Sequence, residues 1–232
     1  KCNVTGLRNT GVGYSSLANT TANNNSALGY DSLVLNTSGA DNVAIGHCSL
    51  RANTSADNNT AVGSLALNAN TTGASNVAVG FQALNSNTTA SNNVAVGEDA
   101  LKDTTTGCQN IAMGRNAMED NSTGDLNVAL GYNALKANTT ADDNTAVGRL
   151  ALSANTIGSG NTGIGFESLK ANTEGNDNTA VGLCAMCSTT TGSSNVSVGR
   201  RALTSQTTGI HNVAMGFNSL FATTTGLCNI GV

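Results

Sequence analysis

Large apolar residues recur along this chain at one fixed interval, separated by small and polar ones. The segment from Asn76 shows the unit, N-V-A-V-G-F-Q-A-L-N-S-N-T-T-A-S-N, after which Asn93 and Asn110 open the next two copies. From Asn25 to Asn229 the copies start every 17 residues, and one earlier copy, at Asn9, is a residue shorter. Counting the Asn as position 1, position 4 is always apolar (Val79, Val96, Met113) and position 9 is always Leu or Met (Leu84, Leu101, Met118). Position 5 is always Gly, and positions 3 and 8 hold only Ala, Ser or Gly. A register this strict means that equivalent residues take equivalent places in stacked coils.

The pattern predicts an all-β fold, a parallel β-solenoid (β-roll or β-helix) of about thirteen 17-residue coils, as one array over residues 1–232. The V-A-V or T-A-V segment alternates and is β-branched at its ends, which reads as a short strand. The Gly after it permits a bend, and the A-L pair at positions 8 and 9 reads as a second short strand or extended edge. The N-T-T-G stretch is a turn, because Asn and Thr bond nearby backbone and Gly supplies unusual φ. An amphipathic helix would need apolar residues at three- and four-residue spacing, and two large apolar positions per unit do not supply it. Positions 4 and 9 are expected to form two inner ribs. The Asn column, Asn59, Asn76, Asn93, Asn110, Asn127 and Asn144, is expected to form a ladder of side-chain amides along the axis.

Stacked at about 4.8 Å per coil, the copies would make a rod on the order of 60 Å long. Two large apolar side chains per coil is a thin core. Either the coil is narrow, or three chains wind together and share one core.

Composition narrows the function. There is no Trp or Pro, and only 10% of residues are charged, which without the periodicity would suggest disorder. The net charge of −4 and ten scattered Lys and Arg offer no basic stripe for nucleic acid. No apolar run is long enough to span a membrane, and no signal peptide is visible. The chain begins and ends inside the pattern, which reads as a segment of a longer fibrous protein.

The N-T-A-V-G-x-x-A-L-x-x-N-T-T-G pattern, clear from Asn59 to Gly73 and from Asn127 to Ala141, resembles the repeat arrays of bacterial surface proteins and phage tail-fibre proteins that often end in a self-cleaving chaperone domain. More loosely it is similar to the head repeats of trimeric autotransporter adhesins, whose shorter unit carries an S-V-A-I-G strand. The resemblance implies an extracellular, fibrous, trimeric β-structure projecting from a cell or virion. No chaperone, anchor or stalk is present in this sequence, and the 17-residue unit differs from the autotransporter one.

Candidate chemistry is sparse. His47 and His211 lie at different positions about ten coils apart and cannot meet. The acids, such as Glu98, Asp99, Asp142 and Asp143, read as solvated turn and edge residues. Cys184 and Cys187 form a C-x-x-C with no second pair at zinc spacing and no redox-fold context, so a local disulfide is open but the cysteines read chiefly as small hydrophobes. No catalytic, cofactor or metal residues are assigned.

Three columns bear on binding. Position 6 holds Tyr14, Tyr30, Phe81, Tyr132, Phe166 and Phe217, with Arg115, Arg149 and Arg200 in other copies. It is either a stripe that stacks on sugars or a partner, or a set of shielding side chains over the Gly bend; the second reading is preferred. Thr71, Thr88, Thr105, Thr139, Thr156, Thr173, Thr190, Thr207 and Thr224 form a Thr column, read as turn chemistry before ice binding. Asn70-Thr71-Thr72 and Asn138-Thr139-Thr140 are N-x-S/T acceptors if the source is eukaryotic and secreted.

The function expected is structural: a fibre segment of adhesin or tail-fibre type that presents repeated loops, self-associates as a homotrimer or filament, and meets a cell-surface glycan or receptor. The alternative is an ice-binding or carbohydrate-binding solenoid, and an enzyme ranks last.

Overall fold

A computed structural model describes residues 6–232 and shows an all-β chain of fourteen short strands set about 17 residues apart. The fold divides into two compact units, Lys1–Arg115 and Asn116–Val232. In the first lie β1 (Thr10–Val12), β2 (Ser26–Leu28), β3 (Val43–Ile45), β4 (Thr60–Val62), β5 (Val77–Val79), β6 (Val94–Val96) and β7 (Ile111–Met113). In the second lie β8 (Val128–Leu130), β9 (Thr145–Val147), β10 (Thr162–Ile164), β11 (Thr179–Val181), β12 (Val196–Val198), β13 (Val213–Met215) and β14 (Ile230–Gly231). Within each unit every strand pairs in parallel with the next, in the register the repeat dictates. Val77, Ala78 and Val79 face Val94, Ala95 and Val96, and Thr162, Gly163 and Ile164 face Thr179, Ala180 and Val181. Each unit is thus a parallel β-solenoid.

The interior differs from the two apolar ribs expected. Position 3 points inward, and Ala78, Ala95 and Ala146 are fully buried. Position 4 therefore points outward by the alternation of the strand. Val79 is 36% exposed and Met215 50%. The reason is space: a coil this narrow admits only Ala, Ser or Gly between its walls at that level, so the larger residues flank it on the outside. Position 9 is the one large apolar rib inside, with Leu67, Leu84, Leu101, Leu135 and Leu152 fully buried beside the Ala of position 8.

The A-L pair is not a second strand. It lies in a long turn, where positions 7 and 9 take the left-handed conformation, as in Gln82 (φ 55°) and Leu84 (φ 50°). Position 17 is left-handed too, and there Asn24, Asp41, Asn58 and Asn92 suit the geometry, since Asn and Asp tolerate it best. A Leu at φ near 50° is unfavourable by about 1–2 kcal/mol. The cost is offset by burial and by an inter-coil bond, the Leu84 N–H donating to the Ala100 carbonyl at 3.0 Å. Parallel pairing continues past the strands in the same way. Gln82 N–H donates to Ser64 O (3.0 Å), Ser86 N–H to Lys102 O (2.9 Å), Thr88 N–H to Thr105 O (3.1 Å) and Asn92 N–H to Ala74 O (3.1 Å). The coil is bonded to its neighbours nearly all the way round, although only three residues of it are strand.

Candidate functional site

The Asn column forms the expected ladder. Asn59, Asn76, Asn93, Asn110, Asn127 and Asn144 are fully buried. Within each unit the side-chain carbonyl accepts the backbone N–H of the equivalent Asn one coil on, as Asn76 Oδ1 does from Asn93 N–H (3.0 Å) and Asn127 Oδ1 from Asn144 N–H (2.9 Å). The Nδ2 groups reach across the coil, Asn76 to Ala90 O at 2.8 Å and Asn127 to Ala141 O at 2.8 Å. Asn144 departs from the rule, because its Nδ2 finds no partner.

A second ladder was not anticipated. Position 12 carries Asn36, Asn53, Asn70 and Asn87 in the first unit and Asn121, Asn138, Asn155 and Asn172 in the second, all fully buried. Their amides bond along the axis, Asn70 Nδ2 to Asn53 Oδ1 (3.1 Å) and Asn155 Nδ2 to Asn138 Oδ1 (3.1 Å), and each also closes its own turn, as Asn70 does on Gly73 O (2.9 Å). The signal was legible in the sequence, since position 12 is Asn in eight copies. It was absorbed there into the N-T-T-G turn. One consequence is chemical: the acceptor amides of Asn70 and Asn138 in their N-x-S/T motifs are sealed inside the coil, out of reach of a glycosyl donor.

The aromatic column lies outside, with Tyr14, Tyr30, Phe81, Tyr132, Phe166 and Phe217 between 38% and 70% exposed. Side chains at this position stack on one another along the axis. Tyr30 lies between Tyr14 (centroids 5.2 Å apart, planes at 11°) and His47 (5.5 Å, 12°), so both its ring faces are covered. The guanidinium of Arg149 sits over the Tyr132 and Phe166 rings at 6.0 and 5.4 Å, and Arg200 covers Phe217 at 5.7 Å. Such contacts each contribute about 0.5–1 kcal/mol at exposed sites. A sugar could meet Tyr30 only at its ring edge, because both its faces serve the stack.

The Thr column does turn chemistry, but between coils. The hydroxyls of Thr71, Thr88, Thr139, Thr156, Thr173 and Thr190 each donate to the carbonyl of the equivalent residue in the next coil, at 2.9–3.3 Å. The following position, Thr72, Thr89, Thr140, Thr191 and Thr208, is the exposed one.

Positions 7 and 10 brace the long turn from outside. Asp99 and Lys102 hold this bracket as an ion pair at 3.9 Å, Glu167 and Lys170 at 2.9 Å. In the coil from Asn178 the same two positions are Cys184 and Cys187, and they are disulfide-bonded. These two are therefore a covalent bracket rather than the free small hydrophobes expected. Spacing alone did not reveal it, because C-x-x-C bridges only where the backbone folds back over three residues, as this turn does. The bond closes a short loop, so reduction is expected to destabilise the surrounding coils by about 2 kcal/mol through regained unfolded-state entropy. Urea unfolding of the oxidised and the reduced, alkylated chain measures it, and coincident midpoints would refute it. The other cysteines among the described residues differ in reach: Cys48 is buried, Cys108 half-buried and Cys228 exposed. Burial pushes the Cys48 thiol up, against a smaller opposing pull from Arg51.

Among the described residues, no group of three or more His, Cys, Asp and Glu could hold a metal ion, and no helix is long and apolar enough to cross a membrane. Comparison with known proteins finds no matching family, no similar curated protein and no similar solved structure.

Proposed function

We propose that this chain is a structural segment of an extracellular fibre, of the adhesin or phage tail-fibre type, that offers the same turns once per coil for multivalent attachment to a cell-surface glycan or receptor. The observation that carries the reading is the axial bonding of the coil. Strands, turns, both Asn ladders and the Thr column all bond along one direction within each unit. A load along that direction is shared among many parallel bonds per coil, which suits a shaft. The turns then stand at constant separation, and weak contacts repeated at fixed spacing add through effective concentration. This reading gives the chain no catalytic role. It includes self-association as a homotrimer or filament, for which the outward apolar residues at position 4 supply the surface.

Light scattering on the purified chain tests it. A mass near three chains or a long polymer, persisting on heating and in detergent, is the expected result. A stable single-chain mass at all concentrations would overturn the fibre reading.

The exposed hydroxyl row at Thr72, Thr89, Thr140, Thr191 and Thr208 favours the alternative, an ice-binding surface. It would show as thermal hysteresis from a monomer, lost on replacing these Thr by bulkier residues.

A further inference from the structure

The outward face of the strands is apolar, and in the second unit its two borders carry opposite charge. Along chain order, positions 16 and 17 lead into the strand and positions 6 and 7 leave it, with the outward apolar position 4 and a Val, Ile or Thr at position 2 between. Ile164, Val198 and Met215 are 39%, 37% and 50% exposed there. At position 6, Tyr132, Phe166, Leu183 and Phe217, between 38% and 67% exposed, extend the strip. A contiguous exposed apolar strip of this kind marks an interaction surface.

The leading border carries Asp142, Asp143 and Asp177, and the trailing border carries Arg149, Arg200 and Arg201. Among the described residues none of these six makes an ion pair within the chain. The Asp142 carboxylate accepts the Asp125 N–H at 2.7 Å, while Arg149 and Arg200 lie over rings rather than acids. The one acid on the trailing border, Glu167, is paired with Lys170. In the first unit the trailing acids are likewise neutralised locally, Glu98 by Arg115 at 3.2 Å and Asp99 by Lys102.

We infer that the second unit packs its strand face against a second copy of this chain running in the same axial direction. The inference rests on the self-association in the functional reading above, and adds the surface and the orientation. Geometry decides the orientation. Copies related by rotation about an axis parallel to the coil stack bring the acidic border of one against the basic border of the next. Copies related by a two-fold axis perpendicular to the stack bring acid to acid and base to base. Level favours the first arrangement as well, since Asp142 and Asp143 immediately precede the coil that carries Arg149, and Asp177 precedes by one coil the one that carries Arg200 and Arg201. Complementary rims fix register and reject wrong partners, and the apolar strip between them supplies the affinity.

The test is a charge exchange, read by sedimentation of the full chain. Circular dichroism provides the control that the substitutions leave the fold intact. The wild type should associate less tightly as salt rises. Arg149→Glu with Arg200→Glu and Arg201→Glu should raise the dissociation constant about tenfold or more, and so should Asp142→Lys with Asp143→Lys and Asp177→Lys. All six together restore complementarity and should return the constant to within about threefold of wild type. A spin label at Cys228, which is exposed, should report short distances between copies in the assembly. An oligomer indifferent to all three variants, or one whose Cys228 labels lie far apart, would overturn the parallel rim-to-rim packing and leave self-association standing. A wild type that is monomeric in every salt would overturn both.

Discussion

Gly97→Ala is expected to destabilise the first unit by about 4 kcal/mol. Position 5 is where the strand ends and the chain bends, and Gly97 sits at φ +136°, a conformation essentially confined to Gly. The same residue is also the point of closest stacking. A Cβ built there would lie 2.6 Å from the Gly114 carbonyl oxygen and 2.7 Å from its carbon, both backbone atoms that no side-chain movement can clear. Backbone strain of about 1–3 kcal/mol and overpacking of about 1–3 kcal/mol therefore act together. The Gly97 N–H donates to Val79 O at 2.8 Å, so a backbone shift to make room would strain the ladder toward the neighbouring coil as well. Urea unfolding beside Thr89→Ala, an exposed change expected within about 0.5 kcal/mol of wild type, measures the difference. Equal midpoints for the two variants would mean that the glycines do not stack as described.

This glycine shows how far the sequence could be read. That position 5 is always Gly was plain, and so were the period, the strand before it and the solenoid that follows from them. What the pattern did not reveal was which side of the strand faces in. Val-Ala-Val reads ordinarily as an apolar pair buried around a small residue. Here Ala78 is inside and Val79 outside, because the coil is too narrow for anything larger than Ala or Ser at that level. Hydrophobicity marks residues as apolar without saying which side of a narrow coil has room for them, and here it misassigns the interior of the single coil. The left-handed Leu84 was hidden for a related reason: propensity counts against Leu there, and only burial and stacking overrule it. Position 12 was visible as a column yet assigned to turn chemistry, since an Asn before Thr and Gly satisfies both readings until the axial bonds are seen. The site columns fared similarly. Position 6 was legible as a stripe of rings and arginines, whereas their stacking on one another depends on coil spacing, which sequence gives only through the fold.

Asn76→Ala should cost about 3–5 kcal/mol, because the side chain serves three partners from a fully buried place. Its Oδ1 accepts the Asn93 N–H at 3.0 Å, and its Nδ2 donates to Ala90 O at 2.8 Å and to Asn59 Oδ1 at 3.2 Å. Truncation strands a buried N–H and a buried carbonyl, each costing about 1–3 kcal/mol, and opens a void that the narrow coil cannot fill. Asn76→Asp separates hydrogen bonding from size. It keeps the volume and the acceptor for Asn93 but loses the donor, and it places a charge beside Ala90 O and Asn59 Oδ1, both acceptors. It should therefore be at least as damaging at neutral pH. Its carboxyl pKa would be raised in the folded state, so the protonated form is the one the fold accommodates. Stability of this variant should rise as pH falls toward the ordinary carboxylate range and drop as pH increases, the reverse of a salt-bridged Asp. Urea unfolding at pH 4 and pH 7 reads this directly, with hydrogen exchange at Asn93 locating the damage. If Asn76→Asp unfolds at the same urea concentration at both pH values and Asn76→Ala matches wild type, the amide ladder is ornament, and the coil is held by its backbone and Leu rib alone.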